Sequence, residues 1–317
     1  VCYNTDVMLI YRESIFGLGE DRVGFTEEVK FVTFPSGERM PVLEEFDVYY
    51  ADLKVTYTIK YSIKNANDLI DLALVVDALK RRGTRKQPTI HLYAPYIMGS
   101  RQDRVCSEGQ PLSAYVVANI INGMGFESVT TDTPHSDVMP SLIKNCIVKD
   151  RFADLFLGVF DYETYQGKRI FIVAPDAGAS KRSWEALQNV NAILDSYTEH
   201  YESDTRIITE FVQGEKHRDP ATGKIISFGC SECNIDKDDF VIVVDDVCGM
   251  GGTFLGLADI LMECGATKEN LCLMVTHADC VEGLKNVSEK YGMVVTTLDT
   301  ATSLNIDTEV DDNIYFC

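Results

Sequence analysis

The chain has 317 residues, 45% hydrophobic and 25% charged, an ordinary globular composition that excludes a disordered or collagenous protein. The length fits one large or two ordinary domains. A formal net charge of −20 opposes non-specific binding to nucleic acid or to an anionic membrane, and no apolar stretch is long enough to span a bilayer.

From the N-terminus, β-rich runs are predicted at Val7 to Tyr11, Val29 to Phe34, Val55 to Ile63 and Thr89 to Tyr93. Others follow at Ser128 to Thr131, Arg169 to Val173, Phe240 to Val244, Leu271 to Val275 and Met293 to Thr297. Helix-length runs lie between many of them. Asn67 to Arg81 sets Leu69, Leu72, Leu74, Val75 and Leu79 largely on one face, although Asp71 and Asp77 interrupt the apolar run. Pro111 to Met124 opens on a proline, which a first helical turn tolerates. Gly252 to Cys264 runs up to Gly265, a C-terminal stop. This alternation predicts an α/β fold with mostly parallel sheets flanked by helices. Two domains are expected, residues 1–150 and 151–317, with Asp150 to Tyr165 as a helical bridge. Gln213 to Lys224 is polar, with two glycines and a proline, and reads as a long hairpin or mobile loop.

The N-terminus lacks a basic start followed by an apolar core, so no secretory signal is expected. The ten cysteines are scattered and read as reduced thiols, which gives a cytoplasmic expectation. Cys230 and Cys233 form one CxxC; no second pair at similar spacing accompanies it, so they read as two loop thiols.

The sharpest motif is the run from Phe240 to Thr253, Phe-Val-Ile-Val-Val-Asp-Asp-Val-Cys-Gly-Met-Gly-Gly-Thr. An apolar strand delivers two carboxylates at its C-terminal end, and a glycine-rich turn leads into a helix. Backbone N–H groups in such a turn can surround a phosphate, and Thr253 adds a hydroxyl. Asp245 and Asp246 are candidates to accept hydrogen bonds from ribose hydroxyls. The alternative is an ordinary tight turn with solvated acids.

This loop resembles the phosphoribosyl-pyrophosphate (PRPP) motif of type I phosphoribosyltransferases and PRPP synthetases. Gly249 and Met250 stand where that motif carries an acid and a small or hydroxylated neighbour. Four further segments favour the synthetases. Phe34-Pro-Ser-Gly-Glu38 resembles their nucleotide-binding hairpin. Arg101-Gln-Asp-Arg104, followed by Pro111-Leu-Ser-Ala114, resembles their Arg-Gln-Asp-Arg segment and its helix. Pro134-His-Ser-Asp137 resembles the metal-binding histidine segment, with Thr133 at the expected acid position and Asp132 one residue earlier. Ala174 to Arg182 is similar to the family's Ser-Pro-Asp-Ala-Gly-Gly-x-Lys-Arg segment. Glu215 to Lys224 resembles the catalytic flexible loop, in the same order along the chain.

The resemblance implies two similar type I phosphoribosyltransferase-like α/β domains: an N-terminal nucleotide-binding one and a C-terminal one with the ribose-phosphate and catalytic loops. It implies an ATP-dependent diphosphokinase that uses Mg²⁺. The diphosphate of ATP would pass to the anomeric hydroxyl of a ribose 5-phosphate moiety, releasing AMP. Charge accumulates on phosphate in such a transfer, so positioned cations matter more than covalent chemistry.

In this reading Lys216 and Arg218 are catalytic. Phe34, Ser36, Glu38, Arg101, Gln102, Asp103 and Arg104 bind ATP. Asp176, Asp245, Asp246, Gly249, Met250, Gly251, Gly252 and Thr253 bind the ribose phosphate, and His135 and Asp176 hold the metal. Taken alone, most of these residues have plain readings as surface charges, a core phenylalanine or a helix cap. A homodimer or larger homo-oligomer is implied, the hairpin being borrowed from a neighbouring subunit, and neither nucleic acid nor membrane is a partner. A phage branch resembling the synthetases uses ADP-ribose, making ADP-ribose 1-pyrophosphate for NAD⁺ rebuilding. Gly249 and Met250 suit an acceptor that continues beyond its 5-phosphate, so ADP-ribose is placed narrowly ahead of free ribose 5-phosphate. The competing readings are a phosphoribosyltransferase, which would consume PRPP, and a non-catalytic regulatory homologue.

Overall fold

The structure is a computed structural model and describes residues 8–16, 21–43, 55–82, 87–201, 207–218, 225–304 and 313–317. The chain divides into two compact units, Val1–Lys149 and Asp150–Cys317.

The first unit runs β1 (Leu9–Phe16), β2 (Asp21–Glu28), β3 (Lys30–Thr33), β4 (Arg39–Val42), β5 (Val55–Lys60), α1 (Ala66–Arg81) and β6 (Thr89–Tyr93). It continues through α2 (Ser113–Met124), β7 (Ser128–Asp132), α3 (Val138–Leu142) and β8 (Cys146–Lys149). Among the described residues these strands form a six-stranded sheet ordered β2-β1-β5-β6-β7-β8, with β3 and β4 as a separate hairpin. The sheet is parallel from β5 to β8, and β1 runs antiparallel to both β2 and β5. The predicted run from Val29 to Phe34 is broken. Buried Val29 separates β2 from β3, its N–H donating to the Met8 carbonyl at 2.9 Å, and Phe34 lies in the hairpin turn.

Helix α1 shows why the sequence folds locally as it does. The Asn65 side chain accepts from the N–H groups of Asn67 and Asp68, and the Asp68 carboxylate accepts from the Asn65 N–H in return. Lys80 and Arg81 in the last turn suit the negative end of the helix. Leu69, Leu72, Val75, Val76 and Leu79 are buried in the unit's core with Ile59, Leu92, Ile121 and Val129. Each such side chain contributes about 1.5–3 kcal/mol by leaving water.

The second unit opens with α4 (Phe152–Val159), α5 (Tyr162–Tyr165), β9 (Arg169–Ala174), α6 (Ser180–Tyr201), β10 (Ile208–Arg218) and β11 (Ile225–Cys230). It closes with β12 (Phe240–Cys248), α7 (Gly252–Glu263), β13 (Leu271–Ala278), α8 (Val281–Ser288), β14 (Met293–Thr296), α9 (Leu298–Leu304) and β15 (Ile314–Phe316). Among the described residues its seven-stranded sheet is ordered β11-β10-β9-β12-β13-β14-β15. It is parallel except for β11, which returns antiparallel along β10. The central strands are buried on both faces, as parallel sheets require. Phe171, Val173, Val241 and Val243 pack on one side, and Ile170, Ile172, Ile242 and Val244 on the other.

The bridge expected over Asp150 to Tyr165 is two short helices rather than one. Phe160 and Asp161 take extended backbone angles between them, and the Asp161 carboxylate caps α5 by accepting the Glu163 N–H at 3.3 Å. The break lets the Phe160 ring stack on Phe156 and Tyr165, and Tyr165 on Phe240. The polar segment from Gln213 is a hairpin: β10 continues to Arg218 and β11 begins at Ile225. Its tip, 219–224, and the Arg218 side chain lie outside the described residues, as does Val7.

Candidate active site

In the first unit the nucleotide candidates sit on two turns. Between β3 and β4 the Phe34 N–H donates to the Glu38 carbonyl, and the Gly37 N–H to the Phe34 carbonyl, both at 2.8 Å. Gly37 has φ +88°, which glycine adopts without strain. The Ser36 hydroxyl donates to the Glu38 carboxylate at 2.8 Å, and Phe34 is 44% exposed, so its ring is presented outward rather than buried in a core. The hairpin is fastened to α1 by Arg39, whose guanidinium meets the buried Asp71 carboxylate at 2.5 Å and lies 4.3 Å from the Phe31 ring centre.

Arg101 to Arg104 precede α2. The Gln102 carbonyl accepts the Ala114 N–H at 3.2 Å, and its side-chain oxygen accepts from the Ser113 hydroxyl. Arg101, Gln102 and Arg104 are exposed and Asp103 is half-buried. Beyond β7, Thr133 takes φ +34°, a left-handed conformation costing a non-glycine residue about 1–2 kcal/mol. Half-buried His135 follows. The acid displaced to Asp132 is buried and accepts from the Tyr93 hydroxyl at 2.7 Å.

In the second unit the candidates gather at the C-terminal ends of adjacent parallel strands β9 and β12, where open α/β sheets bind ligands. Gly251 caps α7 at φ +85°, and a Cβ there would fall 2.6 Å from Val287. The loop is braced from behind. A Cβ on Gly283 would lie 1.7 Å from the Gly249 carbonyl oxygen, and the Asn286 amide donates to the Met250 carbonyl at 3.2 Å. Met250 is 55% exposed. Asp279 occupies the space beside the bare Gly249, its Oδ2 3.3 Å from where a Cβ would stand.

Two cations organise the charges. Lys216, just beyond the β9–β10 ladder, bonds Asp176 Oδ2, and its Nζ is 3.5 Å from the Thr253 hydroxyl. Asp176 Oδ1 accepts the N–H groups of Gly178 and Ala179 at 2.9 and 3.3 Å. Burial works to raise the Asp176 carboxyl, but Lys216 and these N–H groups outweigh it and hold it below its ordinary range. Arg182 bridges the loop acids, 2.6 Å from Asp245 Oδ1 and 3.1 Å from Asp246 Oδ1. One guanidinium does not balance two carboxylates. Burial and the neighbouring Asp246 push Asp245 up to about 7 against the opposing pull of Arg182.

Within the second unit, then, Lys216, Asp176 and Thr253 come together, as do Asp245 and Asp246. His135 belongs to the first unit and Asp176 to the second. Arg182, Asp279, Gly283 and Asn286 were not singled out from the sequence. Only Arg182 carried a signal, as the last residue of the segment from Ala174. Within the second unit Asp176 offers an ionised, hard oxygen of the kind Mg²⁺ prefers, and within the first His135 offers a nitrogen better suited to a water-mediated contact.

Residues 25–125 match the family model described as the N-terminal domain of ribose phosphate pyrophosphokinase. The chain is 26% identical over 295 residues to a ribose-phosphate pyrophosphokinase of Pyrococcus abyssi, covering 92% of this chain and 90% of that one. It is 28% identical over 262 residues to the Pyrococcus furiosus enzyme, covering 80% and 79%. The fold is similar to a crystal structure of phosphoribosylpyrophosphate synthetase from Mycobacterium smegmatis, with TM-score 0.68 and 16% identity over 91% of this chain and 85% of that one. With matches along most of its length and the motifs in order, the chain is similar to ribose-phosphate pyrophosphokinases.

Proposed function

We propose that this protein is an ATP-dependent diphosphokinase acting on the anomeric hydroxyl of a ribose 5-phosphate moiety, with ADP-ribose as the preferred acceptor. The observation that carries the reading is the meeting of Lys216, Asp176 and Thr253 beside the phosphate loop. The acceptor's 1-hydroxyl oxygen bonds to the β-phosphorus of ATP and its proton passes to water, the bond from that phosphorus to the α–β bridging oxygen breaks, and AMP leaves with that oxygen. Asp245 and Asp246, held by Arg182, accept from ribose hydroxyls. Loop N–H groups and the Thr253 hydroxyl bind the 5-phosphate. Lys216, released from Asp176, stabilises charge on the transferring diphosphate together with Arg218. Phe34, Ser36, Glu38 and Arg101 to Arg104 serve the nucleotide. Asp176 in the second unit and His135 in the first are the candidate donors to magnesium, which would supply charge neutralisation on the phosphates when bound.

The choice of ADP-ribose rests on the bare Gly249 and the exposed Met250. Neither adds a bulky polar side chain of its own to the loop, and the carboxylate beside Gly249 comes from Asp279 on another segment. Free ribose 5-phosphate is the second reading, favoured by the relatives, which are named ribose-phosphate pyrophosphokinases. Purified protein with ATP and Mg²⁺ should convert ADP-ribose with the higher kcat/KM, and Lys216→Ala should lower turnover about 10²-fold. A higher kcat/KM for ribose 5-phosphate would overturn the acceptor alone. Near-normal turnover in Lys216→Ala would overturn the catalytic assignment.

A further inference from the structure

Away from the phosphate loop, Cys230 and Cys233 are joined by Cys264, which follows them by more than thirty residues. The three sulfurs lie within 4.8 Å of one another. Cys230 Sγ is 3.9 Å from Cys233 Sγ and 3.7 Å from Cys264 Sγ. A tetrahedral zinc with bonds of about 2.3 Å separates its thiolate sulfurs by about 3.8 Å, whereas a disulfide brings them to about 2.05 Å. The spacing is that of ligands around a shared ion.

The backbone holds this spacing without help from the sulfurs. Cys230 ends β11, and Cys233 lies in the turn that follows. That turn is pinned to β10 by the Ser231 N–H on the Gln213 carbonyl at 2.8 Å and by the Gln213 N–H on the Ser231 hydroxyl at 3.0 Å. Cys264 ends α7, and its carbonyl accepts the Ile235 N–H at 3.0 Å. Gly265 makes that approach possible, since at φ +108° a Cβ would fall 2.2 Å from the Ile235 carbonyl oxygen. All three cysteines are half-buried, so an ion can enter from solvent.

We propose that Cys230, Cys233 and Cys264 bind one zinc ion as thiolates, each giving up its proton, with water as the fourth ligand. The ion fastens the hairpin that carries Lys216 to the helix whose first turn carries Thr253. Phe228 already packs on that helix, because a Cβ on Gly256 would meet its ring at 2.0 Å.

The test uses the full chain, reduced and stripped of metal, then titrated with zinc and separately with cobalt. About one equivalent of zinc per chain is expected, with an intense thiolate-to-cobalt charge-transfer band for the cobalt form. Cys264→Ser should weaken zinc at least about tenfold and lose the band, while Cys106→Ser, at an exposed site, should match the parent. Zinc should raise the Tm of the parent and of Cys106→Ser but not of Cys264→Ser. Should Cys264→Ser fail to fold, Cys233→Ser and the cobalt spectrum of the parent decide. Absent zinc binding, a cobalt spectrum without the thiolate band, or binding unchanged in the serine variants would overturn the proposal. So would a Cys230–Cys233 disulfide in protein prepared under reducing conditions.

Discussion

Asp245 is held by the fold in its protonated form over a wider range than in the unfolded chain. Burial and Asp246 drive this, against Arg182. For an acid raised in this way, the stabilising contribution is complete below its unfolded value of about 4. It is lost as pH rises through the folded value of about 7. Asp245→Asn keeps the shape and removes the titration. The Tm advantage of the parent over this variant should therefore shrink between about pH 5 and about pH 8 in the absence of ligands. A constant difference across that range would refute the assignment. Asp176 works with the opposite sign: Lys216 holds it low, so its contribution fades in acid.

At the scale of elements, the β3–β4 hairpin depends on a cation reaching into the first unit. Arg39 supplies it and Asp71, 2% exposed, receives it. Arg39→Met leaves a buried carboxylate without this guanidinium and should destabilise by about 3 kcal/mol in urea unfolding. Adding Asp71→Leu should restore most of that loss; a double variant no more stable than Arg39→Met would count against the pair. The sequence showed Asp71 only as an interruption of an apolar helix face, because its partner is on a different element. The pairing of Arg182 was hidden for the same reason, its partner Asp245 lying 63 residues away. Cys264 stood outside any local CxxC pattern. The long strands and helices were legible because periodicity is local. Strands β2, β4, β8 and β15 were not read, being polar or short edge pieces with weak alternation. Lys216, Asp176 and the loop were legible because motif order along the chain carried them.

At the scale of the whole molecule, each chain carries a net charge of −20, so self-association works against long-range repulsion. We expect a homodimer or larger assembly, on the strength of the resemblance and of the outward Phe34 hairpin. Light scattering after size exclusion should give at least twice the mass of one chain, with association favoured as salt screens the repulsion. A single-chain mass at high protein concentration and moderate salt would contradict it. No described helix is long and apolar enough to cross a membrane.

Gly283 gives the loop a support that lies outside its own sequence. Its missing side chain leaves room for the Gly249 carbonyl, with a would-be Cβ 1.7 Å from that oxygen. The contact is with backbone, which any residue at position 249 carries, so the path of the loop depends on a glycine more than thirty positions downstream whatever side chains the loop bears. An alanine at 283 would have to push the Gly249 carbonyl aside, and the turn into α7 would move with it. A graft of this loop into another scaffold would keep its shape only where the glycine travelled with it.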